Sequence, residues 1–474
     1  MIGKWKSLTL SNHKFQNNAF REEFIIKSNS TGSPPGDIDS KISELFNDFE
    51  TSNCDKFGED LKIINEAIDD YESDYIQVIS NFDFVNLLSK AYYEFLENDS
   101  VEEEILFCIG VLVKCDCYCD FFFQNGFFKN SLKGITHEND TLALYYLRIL
   151  SSLITIAYAH DVKFNLSDLL NNISNVYGLS NAHMDSCASL LYTIICNGCD
   201  DNYIEYILDI TANIFENAEH KTTFDNIALI CLFLLKKNIC YFNVLLTDYV
   251  ILGELVEKVV EMTTYLSDIS VIIPVLEIIY YVLCNDNPDG INFAKRITPL
   301  QYFLFVQNAN KNIACIVVKI ITEMIFKKDM DAFNFFNSST YDLLRLVYSD
   351  FIESDNCNFE FKIAILNLSL SMILVEPEKI SSKLVELQFM TYFSFCFDSD
   401  DKFILFSYLN TVYQILHASV GKNIQKYVFN DILETELYSK IEEIFQLNDN
   451  EQYPVSNITG EILKLCNEFQ MINH

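Results

Sequence analysis

Apolar residues recur at helical spacing along most of the chain, in paired stretches separated by short polar breaks. The stretch FVNLLSKAYYEFLENDSVEEEILFCIGVLV starts at Phe84, and the stretch FFKNSLKGITHENDTLALYYLRILSSLITI, which starts at Phe127, has the same layout, with breaks at ENDS and HEND. An apolar residue at every third or fourth position turns one side of a helix towards a core. Each unit therefore predicts two apolar helical stretches joined by a polar turn.

The same layout returns along the chain, in stretches that start at Leu169, Ile207, Leu346, Gln388 and Leu437. The unit is roughly 40 residues long, a period typical of helical solenoids, and about nine units fit the chain. Such units cannot bury their apolar faces alone, and stacking them forms one continuous core. The predicted fold class is therefore all-α, an α-solenoid of about nine helical repeats over residues 41–474.

The N-terminal residues have a different composition. Residues 28–40, SNSTGSPPGDIDS, form a Ser/Gly/Pro cluster without apolar periodicity. Such a cluster favours a chain without packed structure. Residues 1–40 are therefore predicted to be a mobile tail, and the repeat array is predicted to begin at Lys41.

One junction resembles the armadillo repeat. Residues 119–132 are CDFFFQNGFFKNSL: Phe121–Phe123 fill a short helix, Asn125 and Gly126 form a left-handed stop, and the next helix begins at Phe127. In armadillo repeats a short first helix ends in a glycine, and the second begins at once with apolar residues. The resemblance implies three helices per repeat and a right-handed superhelix whose third helices line a concave groove.

Among armadillo proteins the arrangement is most similar to importin-α. The segment FREEFIIKSNS from Phe20 precedes SKISELFNDFETSNCDKFGEDLKIINEAI from Ser40, which is similar to the helices that open the importin-α array. The resemblance implies a protein-binding adaptor for basic localisation segments of the kind used in nuclear import, with importin-β as a partner of the N-terminal segment. The basic residues of that segment are Lys4, Lys6, Lys14, Arg21 and Lys27.

Importin-α repeats grip their peptide with a Trp on the third helix and an Asn four residues later. The first aligned unit of this chain has Phe107 and Val111 at those positions, and the second has Arg148 and Ser152. The peptide-gripping pairs are therefore absent or remade in these units.

Composition supports helices and gives the chain a strong charge. Half of the 474 residues are hydrophobic, with only 13 Gly and 7 Pro, and 33 basic against 67 acidic residues give a net charge of −34. A negative field disfavours nucleic acids and anionic membranes and favours a basic protein segment as partner. The same charge also serves a simpler purpose, the solubility of an apolar repeat protein, and both interpretations stay open.

Three patterns that suggest metal or redox sites are better explained as repeat junctions. Cys115, Cys117 and Cys119 alternate along a helix, point to different sides, and lack nearby ligands, so structural thiols are favoured over zinc. The Cys196–Cys199 pair lacks a second pair. The calcium-like loop at 285–296 has Arg296 where a bidentate glutamate belongs.

No catalytic motif is present, so the protein is predicted not to be an enzyme and to use no metal, cofactor or small-molecule substrate. The N-terminus lacks the apolar run of a signal peptide, and the longest apolar run, from Val271, is interrupted by Glu277 and is too short to span a membrane. With 15 cysteines and no such segment, reduced thiols in the cytoplasm or the nucleus are expected.

Two functional hypotheses remain. The first is an importin-α-like adaptor whose groove holds an extended, basic segment; the second is a cytoplasmic scaffold or regulatory subunit with one dedicated protein partner. The sequence does not assign the groove residues. Four residues lie on or near predicted third helices and could face the groove, Tyr145, Tyr146, Arg148 and Tyr192, although for the tyrosines ordinary core packing is slightly favoured.

Overall fold

The computed structural model is helical throughout its described part. It describes residues 38–70, 82–262, 269–285, 287–308, 310–353, 358–399, 401–422, 424–434, 436–447 and 454–473. No strand occurs in these ranges. The all-α prediction is therefore confirmed, whereas the right-handed superhelix and the count of about nine repeats stay predictions. The predicted tail over residues 1–40 lies almost entirely outside the described residues, and the first described helix begins at Ile38.

The chain divides into two compact units between Leu252 and Gly253. The described helices of unit 1 are α1 (Ile38–Glu50), α2 (Cys54–Asp70), α3 (Phe82–Glu94), α4 (Asp99–Leu112), α5 (Asp116–Gln124), α6 (Phe127–Gly134), α7 (Asp140–Ala159), α8 (Leu166–Val176), α9 (Asn181–Cys196), α10 (Ile204–Asn217) and α11 (Lys221–Lys237). Short turns of helix follow at Tyr177–Leu179, Asp201–Tyr203, Tyr241–Asn243 and Val244–Asp248.

Helix α12 (Ile251–Met262) begins at the boundary between the units. The described helices that follow in unit 2 are α13 (Ile269–Cys284), α14 (Gly290–Ala294), α15 (Pro299–Asn308), α16 (Lys311–Phe326), α17 (Met330–Phe336), α18 (Leu343–Val347), α19 (Phe359–Val375), α20 (Pro377–Glu386), α21 (Phe389–Tyr392), α22 (Lys402–Ser419), α23 (Gln425–Glu434), α24 (Glu436–Leu447) and α25 (Pro454–Asn473). Short helical turns lie at Tyr348–Ile352 and Ser394–Asp398.

Each unit contains a row of long helices that pack side by side in chain order. In unit 1 the row runs α2, α4, α7, α9, α11, and in unit 2 it runs α13, α16, α19, α22, α25. The shorter helices pack against the row, as α6 does on α7 and α20 does on α22. Stacking of similar helices buries a continuous core within each unit, which is the packing that the recurring apolar pattern predicts.

The polar breaks of the sequence pattern are helix caps. Asn139 accepts hydrogen bonds from the backbone amides of Thr141 and Leu142, at 3.0 and 3.4 Å, and starts α7. Asn98 caps α4 in the same way, 41 positions earlier in the chain. A cap satisfies amides that have no partner in the first turn of a helix, which explains why Asn and Asp recur at these breaks.

The predicted turn after the phenylalanine run is confirmed. Gly126 has a φ of +88°, Asn125 ends α5, and α6 begins at Phe127. Only glycine adopts this left-handed conformation without steric cost, so the chain can reverse here directly into the next helix.

One helix of the described part, α7, is long and apolar enough to cross a membrane, judged by length and composition alone. Half of the stretch that meets this test is buried inside unit 1, where α7 packs between α4 and α9. A buried core helix meets the same test, and these contacts make α7 one.

Candidate protein-binding surface

The long helices of unit 2 expose one strip each, which together we call the outer face of unit 2. On α16, α19 and α22 the strip follows helical spacing, so its members lie on one side of each helix. Its residues, all partly or fully exposed, are Ile316, Lys319, Glu323 and Phe326 on α16; Glu360, Ile363, Asn367 and Leu374 on α19; and Phe403, Phe406, Asn410, Tyr413 and His417 on α22.

Two asparagines occupy equivalent positions on neighbouring helices of this face. Asn367 lies midway along α19 and Asn410 midway along α22, each four residues after an apolar side chain, Ile363 or Phe406. Among the described residues neither side-chain amide has a hydrogen-bond partner. Because an amide both donates and accepts, each can bind a peptide backbone.

On α19 and α22, hydroxyl groups are buried on the core side, whereas apolar side chains are exposed on the outer face. Ser369 and Thr411 are fully buried on the core side of α19 and α22, where they donate to the carbonyls of Ile365 and Ser407. Leu374 and Phe403, in contrast, are 47% and 38% exposed on the outer face. Soluble helices normally carry the opposite distribution, with polar groups outside and apolar groups inside.

The charged side chains of this face, Lys319, Glu323 and Glu360, lie on α16 and at the start of α19. Lys319 forms an ion pair with Glu360 on the next helix, and its ammonium lies 6.0 Å from the centroid of the Tyr280 ring on the preceding helix. Burial alone would lower the pKa of Lys319, but the negative groups around it, including Glu360, outweigh that effect and raise the pKa. The amine therefore stays charged and joins α13, α16 and α19.

In unit 1, three of the predicted groove residues are partly or fully exposed on α7 and α9. Tyr145 packs edge-on against Phe107 of the neighbouring helix, with ring centroids 5.9 Å apart, and the exposed Arg148 lies 5.7 Å from the Tyr145 ring. Tyr192 is partly exposed on α9.

Tyr146 is a core residue, in line with the packing interpretation of the tyrosines. It is 3% exposed, and its hydroxyl donates to the buried carboxylate of Glu102 and lies 2.8 Å from the Tyr92 hydroxyl. Its ring fills the space beside Gly134, where an added Cβ would come within 2.2 Å of the Tyr146 ring. Neighbouring positions on a helix point about 100° apart, so only one of Tyr145 and Tyr146 can face outwards.

The cysteine and calcium-like motifs lie at junctions between helices. Cys119 donates its thiol to the carbonyl of Val113, within the turn that joins α4 to α5. Cys199 follows the left-handed Gly198 after α9 and donates to the carbonyl of Asp200, and Asp289 precedes α14. Across the described ranges, no group of three or more His, Cys, Asp or Glu side chains is placed to hold a metal ion.

No protein-family model matches the chain, and no curated protein matches it by sequence. Solved structures show similarity to the chain. The crystal structure of an engineered protein from a structural genomics consortium is 10% identical, covering 90% of this chain and 99% of that chain with a TM-score of 0.58. A structure from a study of the phosphorylation switch between cadherin and β-catenin is 10% identical, covering 87% and 96%, with a TM-score of 0.37. At these identities the first likeness describes the helical fold alone, and the importin-α resemblance stays a prediction.

The comparison with importin-α repeats missed Asn367 and Asn410. It covered only the first two aligned repeats, which have Phe107 and Val111, and Arg148 and Ser152, at the Trp and Asn positions. A signal for them does exist in the sequence. Phe406 and Asn410 have the aromatic-to-amide spacing of four residues, and Asn367 lies 43 positions before Asn410. That spacing becomes meaningful once α19 and α22 are known to be neighbours.

Proposed function

We propose that this protein is a non-enzymatic helical-repeat scaffold that holds an extended segment of a partner protein on the outer face of unit 2. The observation that carries the proposal is the pair of unpartnered amides, Asn367 and Asn410, on adjacent helices. A side-chain amide can form hydrogen bonds with the backbone of an extended peptide of any sequence. The apolar residues beside the amide supply contacts for the side chains of that peptide.

The spacing of the helices suits an extended occupant. Packed helices lie about 8–10 Å apart, and an extended chain advances about 3.3 Å per residue, so the two amides would meet the partner backbone about three residues apart. A segment of roughly nine residues would then cross three helices of the row.

The test is panning of a displayed random-peptide library on the intact 474-residue chain, followed by fluorescence anisotropy with an enriched peptide. Asn367→Ala combined with Asn410→Ala is expected to weaken binding by roughly thirtyfold, because one lost hydrogen bond per amide costs about 1 kcal/mol. The matched control is Asn292→Ala with Asn334→Ala, two exposed asparagines on α14 and α17. No enriched peptide, or equal affinity for both double variants, would remove the proposal.

A nuclear import adaptor is the narrower form of this proposal, supported by the importin-α resemblance. It requires that residues 1–40 bind importin-β and that the chain works between cytoplasm and nucleus. Deleting residues 1–40 should then abolish a pull-down with purified importin-β. If importin-β never binds the intact chain, the broader form stands in its place, a cytoplasmic scaffold with one dedicated partner.

A further inference from the structure

We propose that the segment held by the outer face of unit 2 is apolar and uncharged, and not basic as the net charge of the protein would suggest. This inference rests on the proposed function and specifies its partner. It has two independent supports, the distribution of charge along α19 and α22 and the distribution of apolar side chains around them.

The outer face has few carboxylates: Glu323 on α16, Glu360 at the start of α19, and none on α22. Although the chain has 67 acidic residues, α22 contains none and α19 contains only Glu360, which is paired with Lys319. Asp401, just before α22, caps that helix by accepting from the Phe403 amide at 2.8 Å. Salt screens the attraction between exposed opposite charges that lie far apart. Acidic residues on other surfaces of the protein therefore do not determine which side chains bind to the outer face.

The distribution of apolar side chains also favours an apolar partner. Helix α19 is apolar around most of its circumference, and a helix of that kind is normally covered on all sides. Here Leu374 is 47% exposed, while Ser371 on the same helix and Ser407 on α22 are buried. Removing apolar surface from water is favourable, so binding to this strip lowers the free energy of an apolar segment. A charged segment would instead lose the hydration of its charges.

Tyr413 and His417 extend the strip on α22, their rings 5.8 Å apart. Around the two amides the strip therefore offers Ile363, Leu374, Phe403 and Phe406 as contacts. Because the side chains of an extended chain alternate between its two faces, the partner is expected to carry aliphatic or aromatic residues at about every second position, separated by small polar residues.

The experiment uses the peptides enriched by panning on the intact chain and three synthetic probes. One probe has leucine at every second position among serine and glutamine, and in the other two lysine or glutamate replaces leucine. The enriched peptides should be rich in aliphatic and aromatic residues without excess lysine or arginine. The leucine probe should bind about tenfold more tightly than either charged probe, with little change between low and high salt.

Leu374→Asp and Phe406→Asp should each weaken the leucine probe by about tenfold or more. Leu300→Asp on α15 is the matched control, because Leu300 is 42% exposed but lies outside the face. Enrichment of lysine and arginine, or tighter binding of the lysine probe that salt weakens, would overturn this inference. The proposed function would survive that outcome if the Asn367/Asn410 double variant lost the same binding, and it would fail if no peptide bound at all.

Discussion

Replacing Phe127 by alanine is expected to lower the free energy of unfolding of unit 1 by about 3–5 kcal/mol. Phe127 is the first residue of α6 and is fully buried. Its ring lies 4.8 Å from Tyr92 on α3 and 5.2 Å from Phe122 on α5, measured between centroids. Removing the ring therefore leaves a cavity where three helices meet, and the first residue after a tight turn cannot shift far enough to fill it.

Urea denaturation followed by circular dichroism, together with hydrogen exchange of unit 1 amides, measures this effect. Phe123→Ala is the control from the same phenylalanine run, since Phe123 is only partly buried against Phe128 and His160. Its cost should be clearly smaller. Equal costs for the two variants would mean that Phe127 does not hold the junction together.

The local part of this junction could be predicted from the sequence. The Asn125–Gly126 stop, the short helix before it and the helix start at Phe127 all follow from local preferences, because glycine tolerates a positive φ and an apolar run follows it directly. The same holds for the caps at Asn98 and Asn139. Local chemistry is visible in one stretch of chain, so these elements needed no knowledge of the packing.

The partners of each side chain could not be predicted in this way. The sequence left Tyr146 between groove and core, because both alternatives fit the spacing. Two contacts place Tyr146 in the core: its ring fills the space beside Gly134, and its hydroxyl donates to the carboxylate of Glu102, which lies 44 positions away in the chain. The amides of the outer face of unit 2 are a similar case: Asn367 and Asn410 become a pair only through the packing of α19 against α22.

The buried contact between Tyr146 and Glu102 gives the second large prediction, a pH-dependent loss of stability. Glu102 is 4% exposed, and burial raises the pKa of its carboxyl, while the hydrogen bond from Tyr146 acts in the opposite direction. Because this pKa is higher in the folded than in the unfolded chain, the folded state holds the proton more tightly. Stability from Glu102 is therefore fully present below the ordinary pKa and falls as pH rises through the raised value.

Tyr146→Phe removes the donor that opposes the shift, so the pKa of Glu102 should rise further. The variant should lose about 1–3 kcal/mol at neutral pH, where a buried carboxylate is left without its partner, and less in acid, where the carboxyl is protonated. Urea unfolding across a pH series measures both effects. Tyr145→Phe, one position away on the partly exposed side of α7, is the matched control.

Glu102→Gln in the Tyr146→Phe background distinguishes an effect of the Glu102 charge from the loss of the hydroxyl as such. The uncharged amide should remove most of the pH dependence, because no proton is then taken up at this position on folding. If the Tyr146→Phe variant lost the same free energy at every pH, the titration of Glu102 would play no part, and the loss would come from the other contact of the hydroxyl, which lies 2.8 Å from the Tyr92 hydroxyl. The pH series therefore separates the two contacts of one hydroxyl, since the contact with Tyr92 does not depend on the protonation of Glu102 and the hydrogen bond to a carboxylate does.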